Sequence, residues 1–211
     1  MQQIIKILSR ALSIILHPLF IPTYGMSLYM YYMHHRLPEL PNLYIRVSII
    51  TTFVITALIP IILILILWKR GSISSLHMDK SNERTTPYVY TIICYGFWSY
   101  FVGGGVLELP EAWLMTALGA TIALVAVTVI NRWWKISAHL TGMGGLLGGI
   151  CSLSLCYSIL PISLIIITLI ISLLLMYARL YMNAHTPAQV VAGYLLGILF
   201  TFIPNLILYY A

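Results

Sequence analysis

Three short stretches of this chain carry side chains suited to handling a phosphoryl group. Arg179-Leu-Tyr-Met-Asn-Ala-His185 sets a guanidinium upstream of an imidazole. Ser137-Ala138-His139 places a second imidazole after a hydroxyl. Lys80-Ser-Asn-Glu-Arg84 adds two further cations. Arginine suits bidentate recognition of phosphate oxygens. An imidazole that is neutral near pH 7 can act as base, acid or nucleophile. Each stretch alone also has an ordinary explanation. A lone histidine is more often a satisfied polar residue than a catalyst. Lys80 and Arg84, alternating with Asp79 and Glu83 at four-residue spacing, fit a solvated helical face. What gives the three stretches weight is where they fall together.

Each leads into a helix start. Thr86-Pro87 pairs an N-cap type with proline at the first helical position. Ser137 can cap the helix that follows it. Thr186-Pro187-Ala188-Gln189 reads as a capping box, with Gln three residues after the cap Thr. Helix N-termini present free N–H groups and partial positive charge, which favour an anion. The expected phosphate-binding set is Lys80, Arg84, Arg179 and Ser137, with His139 and His185 beside it.

The elements that hold these residues are apolar. Of 211 residues, 61% are hydrophobic and 8% charged. A soluble domain carries about 25% charged residues, and a soluble fold of this composition would expose too much apolar surface. A spanning helix needs about 20 apolar residues. Seven such stretches are expected: Ala11–Tyr32, Val47–Trp68, Tyr88–Leu107, Ala112–Ile130, Ala138–Tyr157, Leu160–Ala178 and Ala188–Tyr209. The expected fold is therefore all-α, a polytopic transmembrane bundle of about six to seven spanning helices. Residues 1–211 form one integral membrane domain. Pro18 and Pro22 interrupt the first stretch and Pro60 the second. Gly144/Gly148, Gly145/Gly149 and Gly193/Gly197 have the small-xxx-small spacing of closely packed helices. Cys94, Cys151 and Cys156 lie inside apolar stretches and read as buried free thiols.

Parity of the connections puts Lys80, Arg84, Arg132, Lys135, His139, Arg179 and His185 on one membrane face, with the N-terminus. Lys6, Arg10, Lys69 and Arg70 join them, and only Arg36 and Arg46 fall opposite. The net charge of +6 therefore points to anionic lipid or an anionic substrate rather than to nucleic acid. Positive-inside bias would also produce this asymmetry, and would put the face in the cytoplasm.

On these residues the chain resembles the type 2 phosphatidic acid phosphatase superfamily, the integral-membrane lipid phosphate phosphatases. The family pattern is K-x6-R-P, then S-G-H, then R-x5-H-x3-D. The likeness covers about residues 77–200. It implies that His185 attacks phosphorus to form a phosphohistidine and that His139 protonates the leaving group. It implies that Lys80, Arg84 and Arg179 bind the phosphoryl oxygens, with no metal and no cofactor. The substrate it implies is a lipid phosphomonoester or diphosphate: phosphatidic acid, phosphatidylglycerophosphate, a polyprenyl diphosphate or a lipid A phosphate. It also implies a site facing the periplasm of a bacterial inner membrane, the orientation we expect.

The chain departs from the pattern in three places. Gln189 stands where the family Asp orients the nucleophile, Ala138 replaces Gly, and Lys80 lies three residues too close to Arg84. Asp79 or Glu83 could supply the missing negative charge. A relative that only binds phosphorylated headgroups, or a small transporter or scaffold, would fit the same departures.

Overall fold

A computed structural model of the chain describes residues 2–34, 41–76, 81–105, 107 and 109–211. Helix α1 spans Gln2–Ile15 and is followed by a 3-10 turn, Pro18–Phe20, and by α2, Ile21–His34. Further helices are α3 (Asn42–Phe53), α4 (Ile59–Lys69), α5 (Ser81–Tyr100), α6 (Glu111–Ile130), α7 (Ala138–Cys156), α8 (Ile162–Tyr181) and α9 (Pro187–Tyr210). Among the described residues six helical stretches are long and apolar enough to cross a membrane: Gln2–Tyr32, Asn42–Lys69, and α6 to α9.

The seventh expected stretch, Tyr88–Leu107, does not reach that standard. Its helix starts earlier, at Ser81, and continues into a π turn at Phe101–Gly105. Pro87 therefore sits inside α5 rather than at its first position, and Thr86 does not cap it. Glu83 lies in the first turn, where its charge complements the helix dipole. Arg84, Thr91 and Ser99 make α5 too polar for lipid on all sides. It packs between α4 and α6.

The first expected stretch is broken. Pro18 has no N–H to donate, so the helix stops before it and restarts after a tight turn. Both ends of α1 meet the same end of the bundle. The Gln2 carbonyl accepts from Tyr181 Oη, at the end of α8, at 3.3 Å. The Ser13 carbonyl accepts from His139, at the start of α7, at 3.0 Å. Helix α1 thus lies across that end. Lys6, Arg10, Ser13 and His17 recur at helical spacing and face inward onto a cavity. Ile4, Leu8 and Ile15 are exposed on the other side.

Pro60 is absorbed differently. A π turn at Val54–Leu58 joins α3 to α4, and the Ile59 N–H reaches back five residues to Val54 O. Such a register shift accommodates the missing donor of Pro60 without ending the rod.

Helices α7 and α9 make the closest contact in the bundle. A Cβ on Gly144 would stand 2.0 Å from Tyr194 O, and one on Gly197 would stand 2.1 Å from Thr141 O. Only glycine permits that approach. At the upper end of the contact the Ser137 N–H donates to Gln189 O at 3.3 Å, which fixes the starts of α7 and α9 side by side. Below them, Leu16, Ile21, Leu140, Met143, Leu175 and Val190 form one apolar cluster.

Candidate functional site

The Arg179–His185 spacing has a structural cause. Helix α8 ends in a Schellman motif, with Asn183 in the left-handed region at φ 52°. The Ala184 N–H donates to Arg179 O at 3.1 Å and the Asn183 N–H to Leu180 O at 2.9 Å. The chain reverses within two residues and His185 arrives next to the helix it has just left. Thr186 then caps α9, with both halves of the capping box formed and Pro187 in the first turn. Gln189 Oε1 accepts the Thr186 N–H at 3.1 Å, and Thr186 Oγ1 accepts the Gln189 N–H at 3.4 Å. The expected capping box is therefore present.

Gln189 Oε1 has a second lone pair, and His185 uses it. Nδ1 of His185 lies 3.2 Å from Gln189 Oε1 and 3.0 Å from the carbonyl oxygen of Lys135. Both are acceptors, so Nδ1 carries the proton and donates to them. The lone pair is then on Nε2. His185 is buried. Burial, and then the Arg179 guanidinium, lower its pKa from 6.5 to about 4, against the pull of the Lys135 carbonyl and Gln189. The ring is neutral at physiological pH, as a nitrogen nucleophile must be.

Arg179 is within electrostatic range of His17, His139, His185 and Arg84. Its Nε is buried with no hydrogen-bond partner among the described residues. A buried unpaired donor is costly unless a ligand completes it. Arg84, also buried, is within electrostatic range of Tyr88, one turn further along α5.

His139 Nε2 lies 3.0 Å from the Ser13 carbonyl, an obligate acceptor, so this nitrogen carries the proton. His17 stands against His139 with ring centroids 5.4 Å apart and planes at 80°. Neither Ser13 nor His17 belongs to any motif in the sequence. The one available signal was the His17-Pro18 pair, which marks a helix break that returns the chain to the site.

Other expected members are placed differently. Ser137 is fully buried, and its Oγ accepts the Leu140 N–H at 3.5 Å as the N-cap of α7. It does not line the cavity. Glu83 is turned toward the α4–α5 connection, where its Oε2 accepts from Ser74 N at 3.2 Å and Ser74 Oγ at 2.9 Å. Lys80 and Asp79 lie outside the described residues.

His17, His139, His185, Arg84 and Arg179 line the polar end, or mouth, of a cavity of about 910 Å³. Lys6, Arg10, Arg84, Lys135 and Arg179 line it together with the three histidines, and no carboxylate is among the described lining residues. Its lining on α7 runs from Ala138 to Leu153, about 22 Å at 1.5 Å per residue. Below the mouth the walls are mostly apolar, including Ile61, Leu65, Leu124, Val127 and Ile150. An anion at the mouth and a hydrocarbon chain beneath it would both be complemented.

A family model described as the PAP2 superfamily matches residues 85–211. No curated protein matches the chain, and no solved structure does.

Proposed function

The chain belongs to the PAP2 superfamily, and from that premise we propose that it is a membrane phosphatase that hydrolyses a lipid phosphomonoester or diphosphate through a phosphohistidine on His185. The observation that carries this reading is the ring of His185. Its Nδ1 proton is held by two oxygens, which leaves the Nε2 lone pair beside a cationic mouth.

Arg84 and Arg179, with Lys80, hold the phosphoryl oxygens and compensate their charge, the main demand of phosphoryl transfer. Nε2 of His185 attacks phosphorus. The bond from phosphorus to the leaving oxygen breaks and its electron pair stays on that oxygen, which takes the proton of the substrate monoanion's own P–OH, passed through Nδ1 of His139. Water then attacks the phosphohistidine while Nδ1 of His139 takes a proton from it. The P–N bond breaks, His185 regains its lone pair, and phosphate leaves with the proton that His139 had taken. Gln189 does by hydrogen bonding what a carboxylate would do with charge added. Ser137 contributes as the cap that fixes the start of α7. The lipid chain occupies the apolar cavity below.

Purified protein in vesicles, offered phosphatidic acid, phosphatidylglycerophosphate, a polyprenyl diphosphate and lipid A, is expected to release phosphate from at least one. His185→Ala abolishes that release. No release from the whole panel by the wild-type protein rejects the reading.

We place the mouth on the periplasmic face of a bacterial inner membrane, as the family likeness implies. In whole cells a membrane-impermeant thiol reagent should label Ser72→Cys, which is exposed in the connection between α4 and the start of α5. Labelling only after lysis means the opposite orientation.

A further inference from the structure

We propose that His17 is a positioning residue for His139: its ring, with the Ser13 carbonyl, holds His139 as the tautomer protonated on Nε2, so that Nδ1 is the nitrogen that exchanges a proton with the substrate. The catalytic part of this statement rests on the phosphatase reading. The tautomer part stands without it.

Three contacts carry the inference. The Ser13 carbonyl takes the Nε2 proton of His139 at 3.0 Å. His17 meets the His139 ring edge to face at 5.4 Å and 80°, which opposes rotation of that ring about its own axis. His17 is itself anchored, because its Nδ1 accepts the Leu19 N–H at 3.4 Å as the cap of the 3-10 turn. Helix α1 and this turn lie outside the segment matched by the family. They nonetheless define which nitrogen of a family-matched histidine is available. A flip of His139 would carry Nε2 away from the Ser13 carbonyl and leave that oxygen without its donor.

Two substitutions separate ring from cap. His17→Phe keeps an aromatic ring against His139 and loses the acceptor for Leu19. His17→Asn keeps a capping acceptor and loses the ring. Nitrogen-15 NMR of histidine-labelled full-length protein, with the His139 signals assigned through His139→Gln, reads the tautomer directly. Wild type and His17→Phe are expected to show a single Nε2-protonated form, and His17→Asn a mixture.

In the phosphate-release assay His17→Asn should lose at least about tenfold in kcat. The loss should be larger for an alkyl phosphate than for an aryl phosphate, whose leaving group needs less protonation, with KM little changed. Any other pattern in folded protein overturns the proposal, and the converse pattern would reduce His17 to a turn cap. The expected NMR result without turnover by any variant would leave the positioning role standing and reject the phosphatase reading.

Discussion

His185 Nδ1 and Thr186 N–H share one acceptor: Oε1 of Gln189, at 3.2 Å and 3.1 Å respectively. A residue standing where the resemblance implies a carboxylate thus both completes the capping box of α9 and holds the imidazole. It does so without adding a negative charge beside Arg179.

That missing charge has a pH signature. The His185 pKa, near 4, keeps the ring neutral throughout the range in which an ordinary histidine titrates. Gln189→Glu preserves the shape and the capping box but adds an anion next to Nδ1, which favours the imidazolium and raises the pKa. The acid limb of kcat/KM should therefore move to higher pH in Gln189→Glu than in wild type with the same substrate, so that the ionisation of the substrate cancels. The same displacement has a stability consequence. A folded-state pKa below the unfolded value of 6.5 means that folding is favoured fully above pH 6.5 and loses this contribution as pH falls toward 4. Melting temperatures of wild type and His185→Asn across that window should converge as pH falls.

Arg179 and Ser137 are expected to fail in different ways. Arg179 presents a buried Nε without a partner among the described residues, and lysine cannot reproduce its planar fork. A tightly bound vanadate at 100 times its Kd stabilises a protein by about 2.7 kcal/mol. The corresponding rise in melting temperature should disappear in Arg179→Lys. Ser137→Ala should instead cost about 1 kcal/mol of stability through the lost cap while the vanadate response persists. Equal loss of the response in both variants would give Ser137 a direct role in binding.

The α7–α9 contact predicts a graded glycine series. A Cβ on Gly144 or Gly197 meets a backbone oxygen at 2.0 Å or 2.1 Å, so the helices must part. Each alanine variant should lose about 1–3 kcal/mol and much of its turnover, because the Ser137–Gln189 contact opens. Gly96, in mid-helix with nothing within 4 Å of a Cβ, should accept alanine with no loss of stability. Thermal melts in detergent check all three.

Cavity depth predicts chain-length dependence. Ala120 lines the cavity on α6, ten residues before the Ile130 end of the helix that faces the mouth, about 15 Å by helical rise. Ala120→Phe should raise KM for a long-chain lipid phosphate and leave a short-chain analogue nearly unaffected. Equal effects on both would place the chain outside the bundle.

Much of this was legible in the residues. Low charge and seven apolar stretches implied the helical bundle. The capping box at Thr186–Gln189 and the glycine spacings of α7 and α9 appear as expected, because these are local patterns with local causes. What escaped was set by tertiary contact. Pro87 looked like a first-turn proline, yet α5 extends past it to Ser81. The polar residues of α5 serve the cavity, so that among the described residues six helical stretches are long and apolar enough to span, within the six to seven expected, and Tyr88–Leu107 is not one of them. Of the two roles expected of Ser137, the cap of α7 is the one its hydroxyl fills, and it does not line the cavity. The Lys135 carbonyl, the Ser13 carbonyl and His17 could not be found from side-chain patterns. Two are backbone atoms, and the third becomes relevant only when Pro18 turns the chain back.

The central claim is that His185 Nε2 takes up the phosphoryl group, and rapid acid-free quenching of the reconstituted protein with a phosphorus-32-labelled lipid tests it most directly. The account predicts transient label on the protein that survives alkali, is lost in acid, and is absent from His185→Ala. In His139→Ala it should persist longer, since hydrolysis of the intermediate loses its base. Phosphate release without labelled protein, or label that persists in His185→Ala, would contradict it.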